Sequence, residues 1–281
     1  MIIFLILAPS FRGGFPFQFH KNIYNGYMHI YFTFIIFLFG LVIASFLNAL
    51  LYRIDNGYKY PEIFIKGSHC EKCGKLLKTY ELIPVLSYFI FKGKCPVCKY
   101  KIPLYYPISE LMLGIGMASI YYYSLSPILY IVLLFFFCFS YYDRIYKGVP
   151  QKLVNSFLGV SIIYFIYLTV IHSQIPDNAL IVGILLSLFI LAISKILKKP
   201  FGIGDFLVLL GLSIFLDINL YIGYIYIFLI ISTVYAVSKI LLKKSTLKTP
   251  IPLLPFMYIS LSILFLLNEY VIDFIQRVFY L

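Results

Sequence analysis

Residues 127–144 read PILYIVLLFFFCFSYYDR, an apolar and aromatic run that ends on an acid and a base. Coiled as a helix rising about 1.5 Å per residue, it covers most of the ~30 Å hydrocarbon core of a bilayer. Working outward, similar runs occupy 30–51, 106–123, 127–142, 153–171, 179–195, 205–216, 219–238 and 251–268, the sixth being short. The 281-residue chain is 62% hydrophobic and 12% charged, against about 25% charged in a soluble domain. Those figures exclude a soluble globular enzyme, a disordered chain and a secreted disulfide scaffold. The expected fold is an all-α polytopic membrane protein of about eight transmembrane helices with one small polar insert.

Charge sets the orientation. Ten Lys/Arg fall in 52–104, three in 143–152, three in 195–199 and four in 239–248. The intervening loops at 124–126, 172–178 and 217–218 contain none. This is the positive-inside pattern, with all four basic segments cytoplasmic. The net charge of +12 is therefore a topology signal, and no nucleic-acid partner is expected. The partner it implies is the lipid bilayer.

The polar insert, 52–104, holds Cys70-Glu-Lys-Cys73 and Cys95-Pro-Val-Cys98. Two Cys-x-x-Cys pairs at this separation supply four thiolates for a tetrahedral Zn²⁺. Gly74 after the first pair and Gly93 before the second permit tight turns. A cytoplasmic location argues against disulfides, and metal can supply folding energy to a segment too polar for its own core. Four thiolates leave no open position for water, so the zinc is expected to be structural. The competing reading is two unrelated or redox-active thiol pairs. Cys138, inside the run Phe135–Phe139, reads as a packing residue.

Three acids lie within or at the cytoplasmic edge of the spans: Glu110, Asp143 and Asp205. Ionisable groups at membrane depth are costly and usually functional. Asp143 closes the third span and Asp205 opens the sixth, in Gly202-Ile203-Gly204-Asp205, so the charge map places both at one level. Two carboxylates sharing a site share a proton; one can activate water while the other polarises a peptide carbonyl. Gly202 and Gly204 would let a peptide approach the backbone. Taken singly, Asp205 could be a helix cap and Asp143 a partner of Arg144 or Lys147.

The motifs, taken in order, resemble the type IV prepilin peptidases, or leader peptidase/N-methyltransferases, GxGD-type membrane aspartyl proteases. They are Ala44-Ser45-Phe46-Leu47-Asn48 with Tyr52-Arg53, then Pro84-Val85-Leu86-Ser87-Tyr88, Lys92-Gly93-Lys94-Cys95, and Tyr106-Pro107-Ile108-Ser109-Glu110-Leu111. The step from Asp143 to Pro150, the Gly-x-Gly-Asp box, and Ile251-Pro252-Leu253-Leu254-Pro255-Phe256 follow. Two positions depart from the family pattern: Ile145 replaces a frequent second acid, and Ala44 replaces a Gly.

The resemblance implies a bifunctional inner-membrane enzyme. It would remove the basic leader of prepilins or pseudopilins after a Gly on the cytoplasmic side, then methylate the new N-terminus with S-adenosylmethionine. Proteolysis carries over onto Asp143 and Asp205. Methylation maps to the insert region, with Glu110 a candidate for a part in it; packing or pairing with Lys101 is the alternative role for Glu110. A peptidase without methyltransferase activity, and a transporter using the carboxylates as a proton path, are the rivals. The expected organisation is an extension over 1–27, with Met28 the expected start, a first helix over 28–51, the insert over 52–104, and a peptidase region over 105–281.

Overall fold

A computed structural model describes residues 23–171, 180–185, 203–242 and 252–279. The helices are α1 Ile23–Asp55, α2 Glu62–Ile65, α3 Leu86–Ile90, α4 Tyr105–Tyr122, α5 Ile128–Tyr146, α6 Gln151–Ile166, α7 Ile203–Leu212, α8 Ile218–Leu241, α9 Leu254–Leu266 and α10 Asn268–Phe279. Residues 180–185 are also helical. No strand longer than an isolated bridge occurs among the described residues. The chain divides into two compact units at Pro127/Ile128.

In the first unit α1 and α4 lie antiparallel along much of their length. His29 stacks on Tyr121 with ring centroids 5.2 Å apart, and at the other end Asn48 Nδ2 donates to Ser109 Oγ at 3.1 Å. Between them the backbones nearly touch. A Cβ built on Gly40 would stand 2.8 Å from Gly114 Cα, and one on Gly114 would stand 2.8 Å from Leu41 Cδ2. Helices in lipid gain little from apolar burial, so close approach at small residues is what brings them together. Ala44, one turn beyond Gly40, is fully buried in the same seam.

In the second unit α5 packs on α9, α8 on α9 and α10, and α6 on α7. The Phe run quoted above supplies the centre. Phe136, Phe137 and Phe139 are fully buried, and Phe157 of α6 meets Phe135, Phe136, Phe139 and Phe215 at centroid distances of 5.4–5.9 Å. Gly211 lets α7 reach this cluster, since a Cβ there would lie 2.6 Å from Phe157 Cε1. The buried hydroxyls of Tyr221 and Tyr224 donate to the carbonyls of Leu209 and Met257, which satisfies polar groups in a dry interior.

Among the described residues four helices are long and apolar enough to cross a membrane: Tyr27–Asp55, Ile128–Tyr146, Gln151–Val170 and Ile218–Lys239. A fifth candidate is the pair Leu254–Leu266 and Asn268–Val278, bent by 89°. The run at 106–123 does form a helix, but it carries Glu110 and tyrosines at both ends, which dilute its apolar character. The run at 205–216 yields only the 10-residue α7, roughly 15 Å long at the α-helical rise. Much of the run at 179–195 lies outside the described residues, as does 1–22. Met28 falls inside α1.

The Gly40–Gly114 crossing yields a test. Gly40→Leu must separate α1 from α4, and overpacking of this kind costs about 1–3 kcal/mol. Thermal unfolding of the purified protein in detergent should show a lowered midpoint for Gly40→Leu and a nearly unchanged one for Gly148→Leu, where a Cβ meets nothing within 4 Å.

Candidate functional site

The two cysteine pairs fold into the same local structure twice. Cys70 N–H donates to Lys75 O and Gly74 N–H to Cys70 O; Cys95 N–H donates to Tyr100 O and Lys99 N–H to Cys95 O. An isolated bridge closes each one, His69 with Leu76 and Lys94 with Lys101. The residue after the second Cys of each pair is left-handed, Gly74 at φ 70° and Lys99 at φ 56°. Glycine suits that conformation; the lysine holds it against its preference. Gly93 is also left-handed, at φ 64°, and a Cβ on it would strike the Tyr88 ring at 2.6 Å.

All four sulfurs lie within 4.8 Å of one another, with Cys70 and Cys98 Sγ at 3.7 Å. A tetrahedral site with metal–sulfur bonds of about 2.3 Å needs sulfurs about 3.8 Å apart, so the donor set fits a four-thiolate metal. The surroundings already split the thiols. The Cys98 and Val97 N–H groups draw the Cys95 thiol down to about 6. For Cys98 the Tyr100 N–H also favours the thiolate, but burial and the neighbouring thiols outweigh it and push the group up to about 11. A cation is what could ionise all four together.

Glu110 is held by the backbone of the insert. Buried at 8% exposure, it accepts the Val85 N–H at 2.8 Å. Val85 is itself unusual: φ 62°, ψ −53°, with Leu86 N–H donating to Pro84 O at 2.6 Å. That is a γ-turn of the rare, strained hand, on a β-branched residue for which positive φ is costly. The carboxylate thus holds a strained turn of the insert against the second turn of α4. Above it opens a cavity lined by Asn48, Tyr52, Arg53, Glu81, Tyr88 and Glu110. The Arg53 guanidinium is buried in the wall, donating to Ile63 O at 2.8 Å. Glu81 is held by Lys75 and the Lys78 N–H, and the Lys75 hydrogen bond keeps its carboxyl below the usual range.

In the second unit Asp143, 5% exposed, sits in the last turn of α5 and accepts the Leu254 N–H at 3.0 Å. Leu254 is the first residue of α9, where helical N–H groups have no partner within the helix. Asp205 stands in the first turn of α7 and is near enough to Asp143 for their charges to interact. Gly204 beside it has open space where a Cβ would be. Gly202 lies outside the described residues. The 111-residue link from Asp143 to Leu254 was not derivable from spacing; its only sequence signal is Pro252 and Pro255, which mark a helix start.

These features define a polytopic membrane protein carrying a four-cysteine insert and two neighbouring carboxylates at helix ends. The family description "Bacterial Peptidase A24 N-terminal domain" matches residues 38–124. A prepilin leader peptidase/N-methyltransferase of Myxococcus xanthus (strain DK1622) is 31% identical over 135 residues, 47% of this chain and 33% of that protein. The one of Vibrio cholerae serotype O1 is 31% identical over 134 residues, 44% of this chain and 53% of that protein. The one of Bacillus subtilis (strain 168) is 24% identical over 264 residues, 85% of this chain and 96% of that protein. No solved structure gives a significant match. Over these stretches the chain is similar to prepilin leader peptidase/N-methyltransferases.

The Glu110 bond yields a prediction. Glu110→Ala leaves the strained turn without its acceptor, and losing a charged hydrogen bond costs about 1.5–3 kcal/mol. Glu110→Gln keeps an acceptor oxygen and should retain most of that stability. Hydrogen exchange across 84–90 should rise sharply in the alanine variant and little in the glutamine variant.

Proposed function

We propose that this chain is an aspartyl endopeptidase of the bacterial inner membrane. It removes the basic leader of type IV prepilins or pseudopilins after a Gly, on the cytoplasmic side, and then methylates the new N-terminal residue. The observation that carries the reading is that Asp143 and Asp205, at the ends of α5 and α7, lie near enough for their charges to interact. One carboxylate takes a proton from the attacking water while the other, protonated, polarises the scissile carbonyl. The Leu254 N–H fixes the orientation of Asp143, and the open space at Gly204 leaves room for an extended peptide.

The cavity in the first unit supports the second activity. Asn48, Arg53 and Glu110 would line the site at which an S-adenosylmethionine methyl passes to the new amine. Tyr88 and the segment behind it would exclude water. Cys70, Cys73, Cys95 and Cys98 would hold a structural Zn²⁺.

Two measurements test this. When the enzyme is co-expressed with a prepilin and the product N-terminus is read by intact mass, Asp143→Asn or Asp205→Asn should lower cleavage by at least about a thousandfold, because groups acting as a unit fail together. Near-normal cleavage by either variant refutes the assignment. Separately, purified protein should carry about one zinc per chain, and the Cys70→Ser/Cys73→Ser double variant should lose it.

A further inference from the structure

The insert is charged, yet one stretch of it is apolar and uncovered in the first unit. Leu82 and Ile83 are exposed, and in α3 Leu86, Phe89 and Ile90 are 59%, 70% and 65% exposed. A solvated polar insert would not gather five large apolar side chains within nine residues, since contiguous patches of this kind mark interaction surfaces.

The depth of this stretch is set by its contacts within the first unit. Its Val85 N–H is bound to Glu110. Ser109, next to Glu110, is bound to Asn48 of α1. Asn48 lies three residues before the end of the apolar run at Leu51, so the turn is tied about 5 Å inside that end at the α-helical rise. The chain around α3 is therefore pinned at the cytoplasmic edge of the hydrocarbon. Exposed Lys78, Lys92 and Lys94 flank it, and residues 52–104 carry ten Lys/Arg against four Asp/Glu. Apolar side chains at that depth with basic residues on either side match the anionic inner leaflet of a bilayer.

We propose that residues 82–90 form a membrane-dipping finger. Leu86, Phe89 and Ile90 enter the acyl boundary of the cytoplasmic leaflet, Lys78, Lys92 and Lys94 meet its anionic headgroups, and Glu110 is the positioning residue that anchors the finger's base. This assignment rests on the charge-derived orientation of the chain and shares Glu110 with the proposed methyl-transfer site, but it does not depend on Asp143 or Asp205.

The chain contains no tryptophan, so a single introduced one reports its surroundings alone. The full-length Phe89→Trp protein is reconstituted in phosphatidylglycerol/phosphatidylethanolamine vesicles, with and without bromines on the acyl chains, and quenched separately with aqueous iodide. Phe34→Trp, on an exposed position of α1, supplies the reference for lipid contact. The bromolipid should remove more than half of the Phe89→Trp emission, with a shallower depth than for Phe34→Trp, and iodide should remove little. Dominant quenching by iodide overturns the proposal, because the finger would then stand in water. Protection from both quenchers also overturns it, because protein would then cover the patch. Leu86→Trp, one turn earlier, gives the same reading should Phe89→Trp fail to accumulate.

Discussion

A carboxylate at the edge of a membrane needs a hydrogen-bond donor, because water is scarce there and an unsatisfied charge is expensive. In both units the chain meets this need in one way. Glu110 takes the N–H of Val85 and Asp143 takes the N–H of Leu254. Each donor follows a proline closely, and each comes from a segment distant in sequence. Backbone donors carry no charge of their own, so they hold a carboxylate without cancelling it. A lysine or arginine in their place would neutralise the carboxylate.

This arrangement explains why some of the site was legible in the sequence and some was not. The four cysteines were legible because metal ligation demands a fixed ligand type at a short spacing. Asp143 and Asp205 stood out because acids are rare inside apolar runs, and the charge map gave both the same depth. The Leu254 amide left no side-chain trace, since any residue but proline carries an N–H. Nor does hydropathy report which spans pack together: the α1–α4 seam depends on Gly40 and Gly114, two of 17 glycines. The left-handed Lys99 was equally hidden, as its counterpart Gly74 carries the usual signal and lysine does not.

The helix boundaries followed the same logic. The run at 106–123 forms α4 but is too diluted by Glu110 and its tyrosines to stand out as a span. The run at 251–268 folds as α9 and then turns by 89° into α10. The turn falls where the composition changes from mostly apolar to Asn268-Glu269, and from there polar and apolar residues alternate around the helix. Val271 packs toward Gly223 and Ile275 is buried, while Tyr270 and Phe274 stay exposed. A composition window averages over that change, whereas the backbone responds to it at one residue.

The doubled knuckle has a topological meaning. With a metal bound, residues 73–95 become a ring: both ends are fastened at one point, and the middle is fastened at Val85 to α4. Closing a loop of this size removes roughly 3 kcal/mol of freedom from the unfolded chain by analogy with a cross-link. The ring is thus a loop of cord held at its knot and at its far side, under tension from a turn that would rather relax. Loosening the knot would let slack run to the membrane edge along the chain itself, with no relay of side chains in between.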